Sequence, residues 1–222
     1  MTAVSADYEK MPLLQPLGDN ALLVRFGVSL SDEANRAALA FSRALAMRPI
    51  HGVVEVVPNL VSVLLRYEPA AISFLRLSGE IGMLLTSDVE QVETAPKVHT
   101  ITVKFDGPDL AGVAESLGLT REQFIAAHNQ PQLRVLATGF APGFVYCGFH
   151  SETLHLPRRR QVRPKVPAGS ILFAARQTAI AATDIPTGWH VIGQTRFRNF
   201  DPADHPPTQM CAGDLVQFEV EP

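Results

Sequence analysis

Hydrophobic and polar positions in the first part of the chain predict a strand followed by a helix. Residues 19–27 (DNALLVRFG) alternate apolar and polar side chains and end on glycine, which is typical of a β-strand. Residues 31–49 begin with Ser31, a favoured N-cap residue, and then place apolar side chains at helical spacing up to Pro49. This pattern predicts one amphipathic helix.

Three further segments complete this first domain. Two β-branched runs, residues 53–57 and 60–67, flank Pro58-Asn59 and predict an antiparallel strand pair. Residues 70–85 predict a second helix, which two glycines weaken. The order strand, helix, strand, strand, helix is typical of a small α+β sandwich with its helices on one face of the sheet.

A polar stretch without periodicity, residues 86–97, predicts a boundary between domains at residues 1–88 and 97–222. In the second domain, Thr120 with Gln123 forms a capping-box pattern at the start of a helix.

Short β-like runs separated by Gly and Pro then predict a mainly-β barrel or sandwich. These runs are residues 132–137, 169–175, 178–182, 190–196 and 214–220. The intervening segment, residues 138–170, is rich in Gly and Pro and is expected to have little regular structure.

Composition and charge narrow the functional classes. A formal net charge of −3 without an extended Lys/Arg stripe gives no reason to expect a nucleic-acid partner. No apolar run approaches the ~18 residues of a membrane span. Residues 1–20 lack the basic start and apolar core of a signal peptide, so we expect a cytoplasmic protein in which Cys147 and Cys211 remain thiols.

The common catalytic motifs are missing from the sequence. It has no GxxxxGK[ST] loop, GxSxG elbow, HExxH or CxxC, and its seven histidines show no metal-ligand spacing. We therefore expect no P-loop nucleotide site and no metal site.

The stretch GFAPGFVYCG, residues 139–148, combines three aromatic side chains with three glycines and a proline. In one interpretation the glycines let backbone N–H groups approach a ligand while the aromatic rings form an apolar wall. In the other, the stretch is a glycine-rich bend whose aromatic side chains belong to the core. The sequence leaves both interpretations open.

A basic cluster, LPRRRQVRPK, follows at residues 156–165. Arg163 and Lys165 are its candidates for binding a carboxylate or phosphate, because Pro164 and Pro167 stiffen the chain around them. The other arginines, residues 158–160, are interpreted as solvated surface.

Several single residues have both a functional and an ordinary interpretation. His128 is a candidate general base, although a lone His near a helix end more commonly interacts with the terminal carbonyls. Gln177 and Thr178 matter only if they face the same cavity, and Trp189 suits a core or rim position. Asp109 suits a turn or helix cap better than catalysis.

The ordered set of motifs resembles the family of the B-type subunit of 5-oxoprolinase, which includes allophanate hydrolase subunit 1 and the Kip-type inhibitor of a sporulation histidine kinase. The motifs are FDGPDL (105–110), GFAPGFVYCG (139–148), LPRRRQVRPKVPAGSI (156–171), PTGWHVIGQT (186–195) and AGDLVQF (212–218). The resemblance spans nearly the whole chain, since PLGDNALLVRFG near the N-terminus shares it.

The resemblance implies an α+β N-terminal domain followed by a mainly-β, cyclophilin-like barrel domain. It implies a hydrolase subunit that needs a second subunit of homologous architecture, like the C-type subunit of 5-oxoprolinase or allophanate hydrolase subunit 2, and a third subunit for 5-oxoprolinase activity. The implied reaction is ATP-dependent opening of the 5-oxoproline lactam to glutamate, with Mg²⁺ accompanying ATP in a site shared with the partner chain.

On this basis His128 and Lys165 are the expected catalytic residues. The expected substrate-binding residues are Gly139, Phe140, Pro142, Gly143, Phe144, Tyr146, Arg163, Gln177, Thr178 and Trp189. Backbone N–H groups around residues 139–143 are expected to stabilise an oxyanion. The alternatives are a component of allophanate hydrolase or urea amidolyase, and a regulator that binds a histidine kinase. The enzyme hypothesis expects Arg163, Lys165, Gln177 and His128 to converge on one pocket.

Overall fold

The computed structural model describes residues 12–86 and 95–222. The chain divides into two units, Met1–Thr94 and Ala95–Pro222, and each has its own hydrophobic core. Most of the polar stretch that predicts the domain boundary, residues 87–94, lies outside the described residues. In the described part of the chain, no helix is both long enough and apolar enough for a membrane span.

The first unit contains one antiparallel sheet and two helices. Its elements are β1 (Leu13–Pro16), β2 (Ala21–Arg25), α1 (Asp32–Met47), β3 (Val53–Pro58), β4 (Ser62–Tyr67) and α2 (Phe74–Thr86). The strand order is β1-β2-β4-β3. The predicted helices and strands are therefore confirmed, except that α2 begins at Phe74 and that the sequence pattern does not predict β1.

Helix α1 forms for the reasons that its sequence indicates. The Ser31 hydroxyl accepts a hydrogen bond from the Ala34 N–H at 3.1 Å, and Asp32 and Glu33 occupy the positive end of the helix dipole. The helix ends at Met47, just before Pro49. Its buried face packs on the sheet together with α2, because both helices belong to one cluster with alternate residues of β2 and β4. The cluster includes Leu22, Val24, Phe41, Leu45, Val63, Leu65, Leu77 and Ile81.

The second unit contains nine strands and two α-helices in residues 95–222. The strands are β5 (Val98–Val103), β6 (Leu133–Thr138), β7 (Val145–Gly148), β8 (Arg163–Val166), β9 (Ser170–Ala174), β10 (Gln177–Ile180), β11 (Ile185–Thr187), β12 (His190–Gln194) and β13 (Leu215–Val220). The helices are α3 (Leu110–Ser116) and α4 (Arg121–Asn129). The predicted capping box of Thr120 and Gln123 starts α4.

Seven strands form one curled sheet of order β12-β9-β10-β7-β6-β13-β5, while β8 and β11 pair as a separate ribbon. The two edge strands meet at one bridge, in which the N–H of Lys104 donates to the Gln194 carbonyl at 2.8 Å and the N–H of Gln194 donates back at 2.9 Å. Two glycines allow this close approach. A Cβ atom on Gly193 would lie 2.5 Å from the Lys104 carbonyl oxygen, and a Cβ atom on Gly107 would lie 2.3 Å from the Val191 carbonyl oxygen, so a larger residue would clash at either position.

The expectation of little regular structure in residues 138–170 is confirmed only in part. This segment contains β7, a 3₁₀ turn at Glu152–Leu154 and β8. Strand β7 lies in the middle of the sheet, between β6 and β10. Gly148 is accommodated there because the side chain of Leu136 fills its space, with Leu136 Cδ1 only 2.9 Å from where a Cβ would stand. A glycine inside a strand is thus offset by a neighbouring side chain.

Candidate functional site

Strand β10 separates two environments, because its side chains alternate between the two faces of the curled sheet. Thr178 and Ile180 face the large core that contains Phe124, Phe173 and Phe218. Gln177 and Ala179 face the opposite side. There a second cluster, here called the Trp189 cluster, comprises Phe144, Val166, Leu172, Ala174, Ala179, Ala181, Ile185, Trp189 and Val191, with Ala141 and Tyr146 at its margin.

An aromatic row runs along the Trp189 cluster. The ring centroids of Phe140 and Phe144 are 5.6 Å apart, those of Phe144 and Tyr146 are 4.8 Å apart, and those of Tyr146 and Trp189 are 6.0 Å apart. Phe144 and Trp189 are buried, whereas Phe140 is 71% exposed. The row therefore leads from the protein interior to solvent. Phe144 lies in the core, as the second interpretation of GFAPGFVYCG expects, and ligand binding by this stretch stays a prediction.

The loop between β6 and β7 has an unusual backbone. Phe140 has φ +76°, in the left-handed region that bulky residues rarely adopt, beside Gly139 at +124° and Gly143 at +68°. Asn199 holds the loop by donating to the Gly143 carbonyl at 2.9 Å. The N–H of Gly139 already donates to the Phe144 carbonyl at 3.0 Å, so it is not a free donor for an oxyanion.

Polar groups without protein partners lie on this same face. Gln177 is only 5% exposed, and its side-chain amide has no hydrogen-bond partner among the described residues. In the antiparallel pairing of β10 with β7, Gln177 lies opposite Gly148 and Ala179 lies opposite Tyr146. Gln177 and Tyr146 are therefore diagonal neighbours on one face of the sheet. The Tyr146 hydroxyl and the Trp189 indole N–H likewise have no hydrogen-bond partner in the described ranges. These polar atoms are not fully enclosed by the protein, so a ligand can reach them and form the hydrogen bonds that the protein does not supply.

Arg163, an expected substrate-binding residue, is engaged by Asp109. Its two terminal nitrogens donate to the two carboxylate oxygens at 2.8 and 3.1 Å. Asp109 also accepts from Arg159 at 2.5 Å and from the Val191 N–H at 2.8 Å. Burial opposes ionisation of Asp109, but these hydrogen bonds and the two arginine charges hold its pKa below the ordinary value. Asp109 occupies the N-cap position of α3, yet its side chain makes no capping hydrogen bond there.

Lys165, an expected catalytic residue, is mostly exposed and pairs with Asp184 at 2.8 Å. The hydrogen bond to Asp184 raises the pKa of Lys165, so its amine is cationic at neutral pH. It follows that Lys165 has the properties of a surface cation.

His128, the other expected catalytic residue, is completely buried on the opposite face from Gln177. Its Nε2 and the Nε2 of His150 each lie 2.8 Å from the Thr178 hydroxyl oxygen, and its Nδ1 lies 2.7 Å from the Asn129 side-chain oxygen. The two imidazole centroids are 4.7 Å apart. Thr178 and His128 thus belong to one buried polar network, and neither is part of the Trp189 cluster.

The proton positions in this network follow from its acceptors. Since the Asn129 side-chain oxygen can only accept, His128 donates from Nδ1 and accepts at Nε2 from the Thr178 hydroxyl. Thr178 then accepts from His150 Nε2, which leaves His150 Nδ1 as a buried acceptor without a partner in the described structure. Burial lowers the pKa of His128 to about 4. Burial, together with repulsion from His128 in its protonated form and from the Arg176 charge, lowers the pKa of His150 to about 2. Both rings are neutral at pH 7.

The expected convergence of Arg163, Lys165, Gln177 and His128 on one pocket is therefore wrong. Of the expected residues, the structure brings together Phe140, Phe144, Tyr146, Gln177 and Trp189. The roles assigned to the remaining residues stay predictions. No group of three His, Cys, Asp or Glu side chains in the described ranges is arranged to hold a metal.

Three important residues are not among the expected site residues. The sequence favours a turn or cap for Asp109 and solvated surface for Arg158, and it does not single out His150. The Arg158 guanidinium carbon lies 5.5 Å from the Trp189 ring centroid. The one sequence indicator for Asp109 is its position in FDGPDL, a motif of the family resemblance, but its arginine partners lie 50 and 54 positions later.

A cavity of about 560 Å³ lies elsewhere in the second unit, at β5 and the segment after β12. Thr100, Thr102, Lys104 and Arg196 are among its lining residues, and none of the expected site residues lines it. Cavity size alone therefore does not locate the expected site.

Comparison with known proteins identifies the class. Residues 12–210 match the model of the carboxyltransferase domain, subdomain C and D, and the chain belongs to this family. It is similar to the B-type subunit of 5-oxoprolinase from Bacillus subtilis (strain 168), with 32% identity over 218 residues, covering 92% of this chain and 91% of that protein. It also resembles the B-type subunit of 5-oxoprolinase from Haemophilus influenzae, with 43% identity over 115 residues, covering 52% of this chain and 54% of that protein. The family resemblance inferred from the motifs is confirmed.

Solved structures show the same relationship. TTHA0988 shares 36% identity and a TM-score of 0.79, and the match covers 91% of this chain but only 39% of that one. PH0987 of Pyrococcus horikoshii shares 34% identity and a TM-score of 0.54, covering 94% and 97% of the two chains. The urea amidolyase of K. lactis, at 14% identity and a TM-score of 0.75, shares the fold, and the match covers 99% of this chain and 15% of that one. The chain thus spans about two-fifths of TTHA0988.

Proposed function

We propose that this chain is a subunit of an ATP-dependent complex that opens the lactam ring of 5-oxoproline to give glutamate. The observation that carries the proposal is the 32% identity to a B-type subunit of 5-oxoprolinase over 92% of this chain. We further propose that the Trp189 cluster is where this chain contacts the lactam. The unpaired amide of Gln177 supports that location, since it can donate to a lactam carbonyl and accept from a lactam N–H.

The chemistry requires activation of an amide. A lactam carbonyl resists water at neutral pH, and ATP supplies the phosphoryl group that makes it reactive. Among the described residues, Arg159, Arg163 and Lys165 are each paired with an acid, which leaves Arg158 and Arg160 as the available cations of the basic segment, few for the triphosphate of ATP. We therefore assign the phosphates mainly to a partner subunit.

The role of this chain is then to bind the lactam, orient it and exclude water. Phe144, Tyr146 and Trp189 provide an apolar wall against the ring, and Gln177 fixes the amide edge. Phe140, exposed at the end of the aromatic row, is placed to cover the ligand from the solvent side.

The test combines this chain with its candidate partner subunits, ATP and 5-oxoproline, and measures glutamate. We expect glutamate formation that Gln177→Ala reduces at least about tenfold, while the exposed Gln161→Ala leaves it unchanged. Formation of product from allophanate instead would move the activity to that amide. Absence of product with all partners present, together with altered autophosphorylation of a histidine kinase, would replace the enzyme proposal with a regulatory one.

A further inference from the structure

The basic segment, residues 156–165, contains cations in two different situations. Arg159 and Arg163 are held by Asp109, and Lys165 is held by Asp184. Arg158 and Arg160 have no acidic partner in the part of the chain that the structure describes. Both are exposed, but only Arg158 lies against the Trp189 ring. An available positive charge is therefore present at the aromatic row.

The backbone on both sides of Arg158 is fixed to the region that carries Trp189. The N–H of Arg159 donates to the Gly188 carbonyl at 2.7 Å, and the His190 Nε2 lies 3.0 Å from the Pro157 carbonyl oxygen. These two contacts hold the segment at the residues immediately before and after Trp189. They therefore fix the backbone from which the Arg158 side chain reaches the indole.

The charge of Arg158 also reaches Tyr146. Burial raises the pKa of the Tyr146 hydroxyl, and the Arg158 charge opposes that rise. Tyr146 is in turn the diagonal neighbour of Gln177. The aromatic face thus has a cation on one side and an unpaired neutral amide on the other. A ligand that satisfies both would be a small, flat amide that carries an anionic group.

We infer that Arg158, rather than Arg163 or Lys165, recognises the carboxylate of the substrate and determines specificity for a carboxylated lactam. The Arg158 guanidinium lies over the Trp189 ring and has no acidic partner in the described ranges, so its N–H groups are available to donate two parallel hydrogen bonds to a carboxylate. The identity of the ligand rests on the proposed function. The location of the anion site rests on the geometry of Arg158, Tyr146, Gln177 and Trp189.

Binding to the isolated full chain tests this inference without partner subunits or turnover. Trp189 is the only tryptophan, so its fluorescence reports on this site. We expect 5-oxoproline to change the emission saturably and 2-pyrrolidinone, the same lactam without the carboxylate, to bind at least about tenfold more weakly. Arg158→Gln is expected to weaken 5-oxoproline binding about tenfold and to leave 2-pyrrolidinone binding unchanged. Calorimetric titration of the same pairs gives a readout that does not depend on the indole.

Arg160→Gln is the matched control, because it removes the same charge two positions away and is expected to leave binding unchanged. Equal binding of 5-oxoproline by Arg158→Gln and the unaltered chain would overturn the inference, as would an equal loss with Arg160→Gln. Absence of saturable binding by the isolated chain would also overturn it, because the inference places the anion site on this chain. If the assembled complex forms glutamate and Arg158→Gln leaves its KM unchanged, the inference fails while the proposed function stands.

Discussion

Arg163 and Asp109 form a bidentate ion pair that joins β8 to the start of α3, with N–O distances of 2.8 and 3.1 Å. Because Asp109 also accepts from the Val191 N–H, one carboxylate connects three separate segments of the second unit. The sequence suggested that the Arg163 charge was available to bind substrate. In the structure, that charge is paired with Asp109 instead. The pair also shows that FDGPDL and the basic segment contact each other in this chain.

Replacing Asp109 with Asn is expected to destabilise the protein by about 2–3 kcal/mol, because the change leaves two partly buried arginines without their counter-charge. Urea unfolding at pH 7.5 measures the difference. Asp184→Asn is the matched control, since its partner Lys165 is exposed, and it is expected to leave stability nearly unchanged. Similar effects of the two substitutions would show that the Asp109 contacts contribute no more than a surface pair.

Lys165→Ala separates a structural role from a functional one. Since the side chain is exposed and its one ion pair is at the surface, the melting temperature is expected to stay within about 2 °C of the unaltered chain. If Lys165 acts in the reaction, turnover by the assembled complex falls while the fold is retained. A large drop in melting temperature would instead show that Lys165 is structural.

The network around Thr178 predicts different effects for two similar substitutions. Thr178→Val keeps the shape but leaves the Nε2 atoms of His128 and His150 without a buried partner, so a loss of about 2–4 kcal/mol is expected. Thr178→Ser keeps the hydroxyl and loses one methyl group, and a loss of about 1 kcal/mol is expected. Chemical unfolding of both variants measures the difference. Equal losses would show that the hydroxyl contributes little.

The same network predicts loss of stability in mild acid. The pKa values of His128 and His150 are about 4 and about 2 when folded, below the ordinary value of about 6.5 expected for the unfolded chain. A lowered folded pKa means that the unfolded state binds protons first as the pH falls. The contribution to stability is therefore fully present above about pH 6.5 and declines below it, down to about pH 4 for His128 and about pH 2 for His150.

The difference between the folded and unfolded pKa values lowers the free energy of unfolding at pH 5 by about 2 kcal/mol for each histidine. The two histidines together lower it by roughly 4 kcal/mol. Arg176 is the charged group that acts on His150, and its positive charge further disfavours protonation. The measurement is urea unfolding at pH 7.5 and pH 5. Constant stability over that interval would contradict the buried, neutral state of both rings.

The sequence predicts the helices and strands that are determined by residues within or next to them in the chain. Helices α1 and α4 carry their own caps, at Ser31 and at Thr120 with Gln123, and the sequence predicts both. It does not predict strands β7, β8 and β11, because they are at most four residues long and contain Gly or Pro. Such short strands form because neighbouring strands supply hydrogen bonds and side chains such as Leu136 fill the space beside Gly148.

The candidate site is predictable only in part, for a similar reason. Residue type and spacing are enough to select Tyr146, Gln177 and Trp189. They do not decide which arginine is available, because that depends on the position of Asp109, more than fifty positions away from Arg163. They also place His128 wrongly, because its partner Thr178, fifty positions later, lies on the core face of β10.

Phe140 provides the last test, because an exposed aromatic residue in a left-handed conformation has no evident structural benefit. Phe140→Gly removes the backbone strain, whereas Phe140→Ala keeps it, so the Gly variant is expected to be about 1 kcal/mol more stable than the Ala variant. Both variants lose the ring that would cover the ligand, so both are expected to raise the KM for the lactam several-fold in the assembled complex. Thermal unfolding and steady-state kinetics measure the two effects separately. An unchanged KM in both variants would show that Phe140 does not contact substrate.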